Sequence, residues 1–147
     1  MNPIRQISAL ASLIAITGGM AQAAPNISSL AEGDVVSISY ETHGCFEYHK
    51  ASLVITDNQI RLDDRMTYPL TAETAQNLET YFTILDGNPL GTCTSSDVME
   101  VTLTRADGSS DSWDYIDSRC LGENASAEKG LSVSNLLYRI EDKSAGL

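Results

Sequence analysis

The sequence predicts an α+β fold: a single antiparallel sheet of about five strands, in the order βββαββα, with two helices packed on one face. Three observations predict it. Apolar and polar residues alternate with a period of two in several short stretches. Apolar residues recur with helical spacing in two others, at 71–85 and 131–141. Clusters rich in Asp, Asn and Gly punctuate the boundaries, where such residues favour turns.

The first strand is expected over 34–42, with Val36, Ile38 and Tyr40 on one face and Ser37, Ser39 and Glu41 on the other. The stretch HGCFEYHK interrupts it as a loop. A second strand resumes at 51–56, with Leu53 and Ile55 inward. Asp57, Asn58 and Gln59 turn the chain, and Ile60 and Leu62 begin a third short strand that ends near Arg65. The first helix follows. Thr71 is placed to cap it and Glu73 to favour its dipole. Ala75, Leu78, Phe82 and Leu85 form its apolar stripe, with Tyr81 beside them, and Gly87 and Pro89 stop it.

The second half opens as a hairpin. Met99, Val101 and Leu103 share one face of the outgoing strand, and Trp113 and Tyr115 share one face of the return. A one-residue slip moves every side chain to the opposite face, so the loop length must keep these two sets together. A three-residue loop at 107–109 does so and pairs Trp113 with Leu103 and Tyr115 with Val101. A two-residue Asp107-Gly108 turn would set Trp113 against Thr102, on the other face. The last element is a helix over 131–141, with Val133, Leu136, Leu137 and Ile140 at i, i+3, i+4 and i+7.

The N-terminus has the organisation of a cleavable bacterial signal peptide. Arg5 precedes an apolar run over 7–16, two glycines follow, and Ala21-Gln22-Ala23 supplies the small-x-small cleavage pattern. The run is short of the ~20 apolar residues a membrane span needs. The expected division is therefore signal peptide 1–23, flexible leader 24–33 and one α+β domain 34–147, in a periplasmic or secreted protein with no membrane insertion after cleavage. The net charge is -11, and since residues 1–23 carry one base and no acid, cleavage makes it one unit more negative. Such a surface repels phosphate backbones, which argues against nucleic acid as a partner and leaves cationic partners or divalent ions allowed, another protein of basic character being the expected one.

Export implies an oxidising compartment, in which disulfides form. The three cysteines are Cys45, Cys93 and Cys120. Cys93 and Cys120 flank the hairpin and are the expected disulfide, leaving Cys45 as a buried thiol, a second-best partner or a link between two copies. The segment 41–49 holds both histidines of the chain, and His43, Cys45 and His49 are candidate metal ligands of types that zinc and copper prefer. A histidine beside Cys45 also suggests a thiolate nucleophile. Asp63, Asp64, Asp111, Asp114 and Asp117 read as charges on the wet face, because no calcium-loop pattern joins them. Asn124-Ala125-Ser126 is a chance match to a glycosylation pattern. No motif names a reaction, and no cofactor is implied.

The stretch Gly44-Cys45-Phe46, followed by Ser52-Leu53-Val54-Ile55 and Asp57, resembles a small secreted bacterial domain family of unknown function. That resemblance implies a strand, an Asp-containing turn, a helix and a hairpin, and no activity. Cys93, the Val101-Thr102-Leu103-Thr104 strand, Trp113, Tyr115 and Cys120 are similar in order to the second half of secreted subtilisin-inhibitor-like proteins. A small stapled core, no catalytic constellation and an acidic surface suited to a basic partner lead to the expectation of a small acidic binding or accessory domain, for instance an inhibitor of another secreted or envelope protein. The alternative is a metal-binding or thiol-active protein that uses the loop 41–49.

Overall fold

The alternation at 34–42 becomes an inner strand of an antiparallel sheet. The computed structural model describes residues 22–44, 48–87, 94–118 and 131–145. Among these the chain runs β1 (Val35–His43), β2 (Tyr48–Ile55), β3 (Gln59–Leu62), β4 (Met66–Pro69), α1 (Ala72–Gly87), β5 (Ser96–Thr104), β6 (Ser110–Asp117) and α2 (Val133–Ala145). The strands lie in the order β4-β3-β2-β1-β5-β6, all antiparallel. The fold is α+β, with six strands where about five are expected. The extra one is β4.

The registers carry one apolar layer across the whole sheet. Leu62, Leu53, Ile38, Val101 and Trp113 occupy successive paired positions on β3, β2, β1, β5 and β6. Val36, Tyr40, Ile55, Ile60, Met99 and Tyr115 extend that layer, and all are buried. Both helices cover this same face. Phe82 of α1 stacks on Tyr115 with ring centroids 4.9 Å apart. Tyr68 of β4 donates its hydroxyl hydrogen to the carbonyl of Ile140 on α2 at 3.2 Å. The stripes Ala75, Leu78, Phe82 and Val133, Leu136, Leu137, Ile140 are the buried ones. Each helix is capped by a hydroxyl: Thr71 Oγ1 accepts from the Thr74 amide and Ser132 Oγ from the Asn135 amide, both at 3.1 Å. Among the described residues no helix is long and apolar enough to cross a membrane.

Four features differ from the expectations. The strands β1 and β2 run further than their apolar alternation, so His43 and residues 48–50 are strand and not loop. The β3–β4 turn places Asp63 and Asp64 at φ of 48° and 56°, a left-handed conformation that Asp adopts more readily than most residues. The Asp63 carboxylate also accepts from the Ser52 amide at 2.8 Å, which ties this turn to β2. The β5–β6 hairpin pairs Trp113 with Val101 and Tyr115 with Met99, two residues away from the expected offset. The Gly108 amide donates to the Arg105 carbonyl at 2.9 Å, and Gly108 sits at φ 86°, so the loop spans 106–108 and closes with a glycine bulge. The face assignment is as expected, because a two-residue shift preserves it.

The fourth difference is the leader. Residues 24–33 pack onto the domain: Ile27 is 1 % exposed and belongs to the core. The Ser28 amide donates to Glu79 on α1 at 2.5 Å, and Asp34 Oδ1 accepts from the Ala106 amide at 3.1 Å. Gly33, at φ 89°, lies so close to Ala106 that a Cβ there would stand 3.0 Å from the alanine methyl. The Trp113 indole donates to the Ala23 carbonyl at 3.0 Å. The expected signal peptide, apart from its last two residues, lies outside the described residues.

Candidate functional site

His43 and His49 leave opposite faces of the sheet. In the β1–β2 register His43 pairs with Tyr48 and His49 with Thr42, so the pleat sends one to the open face and the other to the helix-covered face. His43 Nε2 lies 3.4 Å from Glu41, and its ring meets Tyr48 edge-on with centroids 5.8 Å apart. His49 Nε2 lies 3.9 Å from Glu141 of α2, and its ring meets Tyr40. Cys45, the third proposed ligand, lies outside the described residues, as does the Cys93–Cys120 pair. Among the described residues no group of three His, Cys, Asp or Glu side chains converges on a metal-sized site.

A polar network closes one end of the helix-covered face. The apolar alternation of β1, β5 and β6 ends there in Thr42, Asp97 and Asp117, which are aligned across the three strands. Thr42 Oγ1 donates to Asp97 at 2.7 Å, so the Tyr40 hydroxyl, 2.6 Å from Thr42 Oγ1, must donate to it. Tyr81 of α1 donates to Asp117 at 2.9 Å. Burial raises the Asp97 pKa, and the Asp117 charge adds to that, against the Thr42 and Tyr40 hydrogen bonds. Burial likewise raises the Tyr115 phenol well above its ordinary value, with the Asp86 carboxylate contributing. Among the described residues no well-formed hydrogen bond reaches that hydroxyl, and Asp86 is its polar neighbour. The network joins β1, β5, β6 and α1 through Thr42, Asp97, Asp117 and Tyr81.

A carboxyl with a raised folded-state pKa favours the fold when protonated. Its contribution is greatest below the unfolded value, near 3.9, and is lost as pH rises through the folded value. Asp97→Asn keeps an oxygen acceptor for Thr42 and removes the charge. It is expected to stabilise the domain at pH 7, with the gain shrinking as pH falls towards the ordinary carboxylate range, where the Asp97 carboxyl is neutral as well. Thermal melts of both proteins across that range check this. A variant less stable than the parent at pH 7 would contradict it.

Among the described residues the opposite face of the sheet is open, and no helix or segment packs across it. Its rungs follow from the registers. Lys50, Glu41, Val98 and Ile116 form one; Ser52, Ser39, Glu100 and Asp114 the next; Val54, Ser37, Thr102 and Ser112 the one after. Lys50 Nζ binds Glu41 at 2.5 Å, a pair that lowers the Glu41 carboxyl below its ordinary value chiefly through this hydrogen bond. Glu100 and Asp114 are left facing each other across β5 and β6. Like charges in directly opposed positions destabilise a sheet. Ile116 is 44 % exposed beside them. Most of the remaining face is Ser, Thr and Val, which lets another chain approach closely.

Neither the acid pair nor the polar network was legible as a site in the sequence. The expected hairpin offset would set Glu100 against Ile116 and Asp114 against Thr102. The network had a signal, namely three inward alternations that each end in a polar residue. Comparison with protein-family models and with curated proteins finds no match.

Proposed function

We propose that the chain is an exported binding or accessory domain that engages a basic protein partner through its open sheet face, inhibition of another secreted or envelope protein being one form this takes. The observation that carries the reading is the open face itself. Among the described residues two helices bury one side of the six-stranded sheet, and the other side presents small side chains around the Glu100–Asp114 pair. A surface of this charge speeds encounter with a basic partner and repels acidic ones. Export rests on the signal pattern at 1–23, and the acidity on a net charge of -11.

The test is capture from envelope extract on the immobilised domain, at low and at high salt. A stoichiometric partner that is retained at low salt and lost by about 0.5 M salt supports the reading, since screening weakens exposed charge contacts. Retention indifferent to salt, or capture of acidic proteins, would overturn the charge-based part. Intact mass of the exported protein, expected to begin at Ala24, tests the export part.

A further inference from the structure

We infer that the partner presents an arginine on an extended segment that crosses β5 and β6, with its guanidinium between Glu100 and Asp114 and its aliphatic stem on Val98 and Ile116. This rests on the binding-domain reading and names the chemistry that the open face selects. Four observations support it. Glu100 and Asp114 are directly paired on neighbouring strands, which sets their Cβ atoms about 5 Å apart. That spacing suits a planar fork with donors on two sides better than a compact ammonium. Val98 and Ile116 are the adjacent rung of the same face, and same-face residues on a strand lie about 6.7 Å apart, roughly the length of an arginine stem.

The third observation is the local charge balance. Lys50, a cation of this face whose charge reaches Glu100 through space, is bonded to Glu41, and Arg105 at the far end of β5 pairs with Asp111. Among the described residues no cation is bonded to Glu100 or Asp114. The fourth is what the face excludes. A second copy of a chain with net charge -11 would bring acid to acid, and a phosphate backbone would do the same. A basic segment brings the opposite charge to two carboxylates at once.

The probe is an acetylated, amidated peptide, Thr-Val-Arg-Val-Thr, titrated into the 15N-labelled domain, with versions that carry lysine or citrulline in the central position. Shift changes centred on residues 98–100 and 112–116, stronger for arginine than for lysine and absent for citrulline, are expected. The double variant Glu100→Gln/Asp114→Asn should weaken the arginine peptide at least about tenfold. It should melt no lower than the parent, since it removes a repulsion, so weaker binding would not reflect unfolding. The matched variant Asp57→Asn/Asp142→Asn, with the same charge change elsewhere, should keep affinity within about twofold. Shifts spread over the whole acidic surface, equal loss in the matched variant, or the same shifts with calcium chloride alone would each overturn the inference. An envelope partner held equally well by the double variant would overturn it and leave the binding-domain reading standing. A parent domain that binds the peptide but captures nothing would count against the reading and not against the subsite.

Discussion

Phe82→Ala is expected to lower the stability of the domain by about 3–5 kcal/mol, the range for emptying an aromatic site in a packed core. Phe82 is fully buried on α1 and lies against Tyr115 with ring planes 20° apart. The cavity has little means of closing. Tyr81, the neighbour at 5.7 Å, is anchored by its hydroxyl to Asp117 at 2.9 Å. Tyr115 is fixed in a strand paired along its length with β5. Domains of this size have about 5–15 kcal/mol in total, so the variant should be marginal at 37 °C and its melting point lower by about 10–20 °C. Urea unfolding followed by circular dichroism measures the effect. Phe82→Leu, which keeps most of the volume, should cost about 1–1.5 kcal/mol. A loss below about 1 kcal/mol for the alanine variant would mean that α1 does not form its core contact through this ring.

What the sequence revealed and what it hid divide along a physical line. Periodicity exposes an element when burial is uniform along one face. That held for Val36, Ile38 and Tyr40, for the α1 stripe and for the α2 stripe, and these were legible. It fails where a strand continues on backbone pairing alone. His49 occupies an inward position of β2 yet is polar and exposed, so the alternation stops while the ladder with β1 goes on to His43 and Tyr48. It fails again for β4, four residues long, edge-placed and ending in Pro69, which suits only an edge or a strand end. The turn that sends the chain into β4 depends on two consecutive aspartates in left-handed conformation, a tolerance that composition does not announce.

The hairpin at β5 and β6 makes the same point for function. Parity is set by the apolar faces and could be read. The offset within that parity is set by loop geometry, here the bulge at Gly108, and could not. The Glu100–Asp114 opposition exists in only one of the offsets that keep Trp113 and Tyr115 inward. A candidate binding surface that depends on which acid faces which lies one structural level above what a single sequence encodes in its pattern.

Ile27→Ala is expected to cost about 2–5 kcal/mol, the range for a buried isoleucine cut to alanine. A loose leader would make the same substitution nearly neutral. Ile27 stands between Asn26 and the Ser28-Ser29 pair, and although Leu30 and Ala31 follow at helical spacing, the apolar stretch is too short to set a period, so periodicity gives it little weight. The packing does, because its side chain is 1 % exposed within the core. The contact is held from both sides: the Ser28 amide reaches Glu79 on α1, and the Trp113 indole reaches back to Ala23. If the signal peptide is cut after Ala23, three residues remain ahead of Ile27 and the core contact survives, while the indole loses its carbonyl acceptor. A chain starting at Ala24 should therefore lose no more than about 1 kcal/mol, the net value of one hydrogen bond, relative to a chain that retains Ala23. A chain starting at Ser28 should lose as much as Ile27→Ala. Trp113 is the sole tryptophan, so its emission reports each step without a label. Urea midpoints for the four chains that fall in this order would place 24–33 within the folding unit. Equal midpoints would restore it to a leader.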